Sequence, residues 1–519
     1  MRLQKITAAD IDAVLRQKDG SFIKICCYEY SSQYLKEMCE AGYAMDYIDR
    51  IVDANARSQG NHSVMGADVE VCGEDYLEEV DFGEVLLVIT SDYYKEAYEK
   101  LSLNRRLNAV IDTVYYFSNR ETEYEEEYRE RYKDTLLEDM ILFRSGPHAS
   151  AYVKGMDFAD NARALFEYML NNHYNEKYRL VWLVKDPDAF RQYEDVKNVE
   201  FIAYDWSLAE DKEKRSRYYH ALCLSKYIFF TDAYGFARNS RGDQIRVQLW
   251  HGCGFKTRVN FVRCEKRYEY TTVISDIYSK IHQDIYGLRE DQMLVTGYAK
   301  EDWLFHPAED FWRKLEIPQA HKYIFWLPTF RMASEGLHNL NEFELSDQTG
   351  LPIINSHEEL VQLGGLLRER DAVLILKLHP FQDREKIGRI DAGNIVILDN
   401  DLLAEYDIHI NQLLGYADAL ISDYSSAAVD YMLLDRPIGF TLDDVEEYAQ
   451  SRGFVFENIK EWLPGKEIFT FDDFCSFISE MADDVDSSEK KRRELRDKMH
   501  LYHDDQSCRR IAEALKILI

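Results

Sequence analysis

Ala419-Leu-Ile-Ser-Asp-Tyr-Ser-Ser-Ala-Ala-Val-Asp430 reads as a buried strand, a tight turn and the start of a helix. Serines at that start can cap the helix, and its free backbone N–H groups and dipole can receive a diphosphate. The plain alternative is an ordinary serine cap, so the stretch alone assigns no chemistry. A strand feeding a helix through a tight turn is the repeating unit of open α/β sheets, which place ligands at the strands' C-terminal ends.

Three more motifs have the same form. Leu374-Ile-Leu-Lys-Leu-His-Pro380 has strand alternation that puts Lys377 and His379 on one face, and Pro380 ends it. A cation and an imidazole together suit a negatively charged group better than a packed core. Trp326-Leu-Pro-Thr-Phe-Arg331 brings Thr329 and Arg331 to the end of another apolar strand, where a guanidinium can fork onto phosphate. Gln248-Leu-Trp-His-Gly-Cys-Gly-Phe-Lys256 ends a strand in Trp250, His251 and Gly252, with Lys256 shortly after. An imidazole titrates near neutrality and could take a proton from an attacking hydroxyl. An isolated histidine at a strand end is more often structural, but four such motifs at strand ends are harder to assign to packing.

The surrounding sequence supplies the matching units. Strand-like and helical stretches alternate from Met293 onward: Leu294–Thr296, Tyr323–Leu327, a helix at Glu358–Glu369, Val373–Leu378, Ile395–Leu398, a helix at Ile408–Tyr416, Ala419–Ser422 and a helix at Ser426–Leu434. Another unit starts at Met140, with Ile141–Phe143, a helix at Asn161–Asn171, Leu180–Val184, Val199–Ala203, Tyr219–Leu224, Tyr227–Phe230 and Arg246–Leu249. Two consecutive units of this size predict two facing Rossmann-like halves, 140–290 and 291–480. A C-terminal helical segment, 481–519, follows; within it Ser487–Arg509 reads as an amphipathic packing helix.

Residues 1–118 predict a small parallel α/β domain of unknown role. A dinucleotide fingerprint would put glycines after its first strand, but Tyr28-Glu-Tyr-Ser-Ser-Gln has none, and an acidic strand end at Asp53 is common by chance. The charged stretch at 119–139, with tyrosines at helical spacing, predicts a solvated helix joining domains.

Composition narrows the function classes. A length of 519 residues implies two or three domains. The net charge of −31 repels polyanions, so nucleic acid is excluded as a general partner and an anionic substrate needs a locally basic cleft. Nine cysteines without a Cys-x-x-Cys pair fit neither a disulfide framework nor a zinc site, and point to a reducing cytoplasm. No window approaches a membrane span and no export signal opens the chain, so the expected location is cytoplasmic, with any membrane contact peripheral.

The four motifs together resemble the CDP-glycerol:poly(glycerophosphate) glycerophosphotransferase family over about residues 140–480. Further agreement comes from Asp160-Asn161, Gly297-x-x-x-x-Asp302, Arg436-Pro437, Asp444, Tyr448 and Arg452-Gly-Phe454. The family's usual Gly-x-Pro-Arg-x-Asp stands here as Gly297-Tyr-Ala-Lys-Glu-Asp302, and the Thr that commonly precedes Asp-Tyr-Ser-Ser is Ser422. The resemblance implies a GT-B fold and transfer of glycerol phosphate, or a related polyol phosphate, from a CDP-polyol to an acceptor hydroxyl. CMP is released, and phosphodiester links form in teichoic-acid-like or capsular envelope polymers.

It further implies His251 as general base and His379 as a second catalytic residue. Arg331, Lys377, Ser425, Ser426, Thr329 and Asp423 would hold the donor's phosphates, and Trp250, Gly252, Lys256 and Asp302 would line the cleft or acceptor side. No metal or other cofactor is expected. The expected acceptor is a glycolipid or polymer, and the basic residues of Lys256–Arg267 are the candidate membrane contact. Two rivals share these residues: a GT-B glycosyltransferase using a nucleotide sugar, and a non-catalytic nucleotide-binding scaffold.

Overall fold

The computed structural model describes residues 1–7, 24–29, 34–35, 38, 48–53, 60–64, 67–82, 84–91, 94–118, 120–146, 157–231, 241–257, 267–307, 311–328, 349–378, 393–398, 400–451 and 453–519. The chain divides into two compact units, one of Met1–Asp134 with Asp205–Tyr219 and one of Thr135–Tyr204 with His220–Ile519.

The first unit is built on strands β1 (Arg2–Ile6), β2 (Lys24–Tyr28), β3 (Ile48–Val52), β4 (Gly60–Val64), β5 (Ala67–Cys72), β6 (Val85–Ile89) and β7 (Thr113–Phe117), in the order β1-β7-β6-β2-β3-β5-β4. Alternation splits each central strand between two cores. Ile25, Cys27, Ile51 and Val88 face one side, while Cys26, Tyr28, Val52, Leu87 and Ile89 face the other. The adjacent Cys26 and Cys27 are therefore both buried, and neither is in a disulfide.

Two sequence expectations change here. The domain is not wholly parallel, because β4 pairs antiparallel with β5, and the strand at Arg2–Ile6 was not foreseen. The helix predicted as a solvated linker, Arg120–Tyr132, buries Thr122, Glu125 and Tyr128, and Tyr128 stacks on Tyr219 at 4.6 Å. Its charge hid an apolar stripe of tyrosine rings.

The second unit carries two parallel sheets. The first comprises β8 (Glu138–Arg144), β9 (Arg179–Val184), β10 (Val199–Ala203), β11 (Ser225–Phe230), β12 (Ile245–Gln248), β13 (Tyr270–Val273) and β14 (Met293–Val295), ordered β10-β9-β8-β11-β12-β13-β14. The second comprises β15 (Lys322–Leu327), β16 (Ala372–Lys377), β17 (Ile395–Leu398), β18 (Ala419–Ser422), β19 (Ile438–Thr441) and β20 (Lys466–Ile468), ordered β17-β16-β15-β18-β19-β20. Both begin with the doubly wound order 3-2-1-4-5-6, which opens a crevice at the strand ends where the order reverses. The pair of Rossmann-like halves is thus the GT-B architecture expected from the sequence.

Met293–Val295 closes the first of these sheets by pairing with β13, instead of opening the second. Tyr219–Leu224, read as a strand from its run of large residues, is the last part of a helix, Lys212–Leu224, whose polar first turns conceal the period. The predicted helix at Ser487–Arg509 is two helices, Glu489–Met499 and Ser507–Ala514. The first packs Leu495 and Met499 into a core shared by both halves, and the second carries Cys508, Ile511 and Ala512 into the core of the first half. The chain's end therefore crosses back and ties the halves together.

Two buried histidines belong to this framework. His500 donates from Nε2 to the Val429 carbonyl at 2.9 Å, and His282 lies against the Cys253 thiol. Burial brings both down to about 4, against the opposing pull of the Val429 bond in the case of His500. An unfolded histidine takes up its proton near pH 6.5, so between there and about pH 4 the unfolded chain binds more protons and stability falls with pH, by about 1.4 kcal/mol per unit for each histidine. Denaturant titrations at pH 7 and pH 5 should show this loss. His500→Gln, whose amide can donate to the same carbonyl, should flatten the slope by about one proton, and an unaltered slope would contradict the assignment.

Candidate active site

The site is assembled at strand ends, beginning with the turn after β12. Trp250 has φ +50° and Gly252 φ +139°, so the chain reverses sharply on either side of His251. The turn is held from three directions. Trp250 N donates to Gln248 Oε1 at 3.0 Å, the Trp250 ring stacks on Tyr286 at 4.4 Å, and Asn161 Nδ2 donates to the carbonyls of Leu249 and Trp250 at 3.2 and 2.9 Å. With its backbone so fixed, the His251 side chain remains 61% exposed. This is a presented imidazole on a rigid base.

Its Nδ1 lies 2.5 Å from Oδ2 of Asp160, the first residue of helix Asp160–Asn171. Burial alone would raise the Asp160 carboxyl. The Lys300 ammonium and His251 outweigh burial and bring it down to about 2. An ionised carboxylate accepts the Nδ1 proton, which leaves Nε2 as the basic nitrogen of this exposed ring.

The loop that follows lies on the start of helix Ser426–Tyr431. A Cβ at Gly252 would sit 3.2 Å from both Ser426 Cβ and Oγ, and one at Gly254 3.4 Å from the Ser426 backbone. At Gly252 the positive φ adds to the crowding, so glycine is required there. Two of the four sequence motifs, from opposite halves, are therefore in van der Waals contact. Ser425 caps the helix by accepting from Ala427 N at 3.3 Å. That bond uses an acceptor lone pair and leaves the hydroxyl proton available to donate.

Lys300 sits beneath this contact with its side chain 10% exposed, in the short turn Ala299–Glu301. It donates to the His251 carbonyl, lies 3.1 Å from Asp430 Oδ2, and is 3.9 Å from Asp160 Oδ1. His409 is close to the same charges. Its Nδ1 accepts from Asn411 N at 3.2 Å, capping helix Ile410–Leu414, and its ring lies 4.7 Å from Trp303. Burial first, then Lys300, Arg163 and Lys377 working against Asp160, bring it to about 3. It is a neutral imidazole with its proton on Nε2.

The remaining candidates fall as follows. Lys377 ends β16 and donates to the Leu378 carbonyl at 2.8 Å. Val373 and Ile375, which share its parity on the strand, belong to the core common to both halves. Asp423 is fully buried immediately after β18. Lys256 bridges Phe454 through its backbone and holds its ammonium 5.8 Å over the Tyr448 ring, beside the packed rings of Tyr424, Tyr448 and Phe454. Asp302, expected to line the cleft, is instead buried and caps helix Ser507–Ala514, accepting from Ser507 N at 2.8 Å and Cys508 N at 2.9 Å. Both of its oxygens are committed to the C-terminal crossover. Thr329, Arg331 and His379 lie outside the described residues, as do Arg258, Arg263 and Lys266 of the basic stretch.

Sequence reasoning missed Lys300 and His409 as site residues. Lys300 had only its place inside the Gly297–Asp302 motif, two residues before the aspartate to which the reading gave a role. His409 gave no strand-end signal at all.

Among the described residues there is no cluster with metal-ligand character, and no helix is long and apolar enough to cross a membrane. The family model described as CDP-Glycerol:Poly(glycerophosphate) glycerophosphotransferase matches residues 108–516, a wider span than the motifs indicated. The teichoic acid ribitol-phosphate polymerase TarK of Staphylococcus aureus is 25% identical over 344 residues, 62% of each chain. The teichoic acid glycerol-phosphate primase of Bacillus subtilis is 25% identical over 387 residues, 70% of this chain and 91% of the primase. In fold, the chain matches a structure of the wall teichoic acid polymerase TagF soaked with CDPG, with a TM-score of 0.58 and 20% identity over 82% of this chain and 97% of that one. The chain spans about 62% of the length of the first of these polymerases. With the family model covering most of its length, the chain belongs to the CDP-Glycerol:Poly(glycerophosphate) glycerophosphotransferase family.

Proposed function

We propose that this protein transfers glycerol phosphate, or a related polyol phosphate, from a CDP-polyol to the hydroxyl of a growing envelope polymer. The observation that carries this reading is the exposed His251 imidazole, paired with an ionised Asp160 and set against the Ser425–Ser426 helix start. A base and a phosphate-receiving helix start on opposite sides of one contact are what attack at phosphorus requires.

In the proposed reaction His251 Nε2 takes the proton of the acceptor hydroxyl, and the oxygen attacks the β-phosphorus of the donor. The new P–O bond forms as the bond to the bridging diphosphate oxygen breaks, and CMP leaves with that oxygen. Lys377 and the hydroxyls of Ser425 and Ser426 would neutralise charge on the transferred group and on CMP. Thr329, Arg331 and His379 join this set on their motifs alone. The relatives include both glycerol-phosphate and ribitol-phosphate enzymes by name, so the polyol is left to experiment.

The acceptor class follows from the relatives' teichoic acid names, and a lipid-borne acceptor would bring the protein to the inner membrane face. A donor panel tests the reading: CDP-glycerol, CDP-ribitol and common UDP- and GDP-sugars are offered with a polymer acceptor, and nucleotide release is measured. CMP release from a CDP-polyol is the expected result. UDP or GDP release from a sugar donor would move the protein to the glycosyltransferases.

A further inference from the structure

We propose that Lys300 is a positioning residue, a buried ammonium that ties the His251–Asp160 pair of one half to the helix carrying Ser425 and Ser426 in the other. The inference rests on the transfer reaction proposed above.

The geometry forms a closed circuit. Asn161, next to Asp160, accepts from Lys300 N at 3.0 Å through its side-chain oxygen, while its amide holds the carbonyls of Leu249 and Trp250. Lys300 Nζ then returns to the His251 carbonyl and reaches Asp160. From the same nitrogen the circuit extends to Asp430 Oδ2 at 3.1 Å, one helical turn inside Ser426–Tyr431. Three donor positions on one ammonium thus face one carbonyl and two carboxylates from different halves.

The charge balance shows why the link is strong. Asp430 and Asp160 outweigh burial and keep Lys300 charged. The Asp430 side chain is 2% exposed, and its other oxygen, Oδ1, has no hydrogen-bond partner among the described residues, with Asn411 Nδ2 at 3.5 Å from Oδ2. Burial and then the Asp430 charge push the neighbouring Glu301 carboxyl well up, while burial pushes Asp430 itself up and the Lys300 ammonium pulls it back down. Asp430 depends on Lys300 for its counter-charge.

Loss of the ammonium therefore has two separable effects. It leaves a buried carboxylate uncompensated, which weakens the fold, and it frees the His251 turn from the helix start, which misaligns base and donor. Lys300→Met has both effects. Lys300→Met with Asp430→Asn removes the uncompensated charge and so recovers stability, but leaves the circuit open.

The experiment compares wild type, Lys300→Met, Lys300→Arg and the double variant by thermal stability, by steady-state kinetics with a CDP-polyol, and by nitrogen-15 imidazole spectra with His251 assigned by difference. The double variant should regain most of the stability. It should nevertheless keep a kcat about 10²-fold below wild type, the scale of a small misplacement, with KM for the donor changed less than about threefold. Lys300→Arg should return kcat to within about tenfold. The Nδ1–H signature of His251 should weaken in the double variant and persist in Lys300→Arg. A double variant with wild-type kcat and a wild-type His251 spectrum would overturn the proposal. If wild type turns over no CDP-polyol, the transfer reading fails while the imidazole spectra still decide the role of Lys300.

Discussion

Replacing His251 by alanine is expected to lower turnover by roughly 10²–10⁴-fold, the range for loss of a general base, with donor binding largely retained. That range corresponds to about 2.7–5.5 kcal/mol of transition-state stabilisation. The split follows from the position of the side chain. His251 is solvent-facing and its carbonyl, not its ring, is bonded to Lys300, so truncation removes the base without opening the Lys300 circuit. Steady-state kinetics with varied donor should show the loss in kcat and little change in KM. Unchanged turnover would remove His251 from the mechanism.

Asp160→Asn should approach the same loss, on the order of 10²-fold or more, by a different route. The carboxylate is only 14% exposed and sits 2.5 Å from Nδ1, so it fixes both the ring's orientation and the tautomer that leaves Nε2 basic. An amide can present its NH₂ to Nδ1 and favour the wrong tautomer. Because the two residues act as one unit, the Asp160→Asn, His251→Ala double variant should be little worse than His251→Ala alone, and additive losses would show separate roles. The pH dependence has a definite sign. With Asp160 held at about 2, it is ionised throughout the working range, and its protonation would remove activity only as pH falls toward that value. An acid limb of the wild-type pH profile near neutrality therefore belongs to another group, and it should survive in Asp160→Asn.

The parts of this arrangement that were legible in the sequence share a physical cause. Ala419–Ser422, Ala372–Lys377 and Lys322–Leu327 are strands with most residues buried, so each reads as an apolar run, and the polar residues at or just past the ends, Ser422, Lys377 and Thr329, stand out against it in the sequence. His251 stood out for the same reason. What sequence spacing does not carry is the partner across space. Lys300 and Asp302 are two residues apart in one motif, yet Lys300 turns to the Asp160–His251 pair and Asp302 to the C-terminal helix. His409 sits at a helix cap, where histidine gives little signal, and its charged neighbours come from elements between 32 and 249 residues away. The last helix was misjudged because its cap, Asp302, lies 205 residues upstream of Ser507.

The bond that is made and the bond that is broken decide the central claim. CDP-glycerol carrying an isotopic label on its β-phosphorus should be incubated with the protein and a polymer acceptor, and the label followed in the polymer and in the released nucleotide. Attack at phosphorus predicts the label in a polymer phosphodiester and unlabelled CMP in solution. Label released as CDP, with glycerol joined to the polymer without phosphorus, would contradict the account and place the attack at carbon.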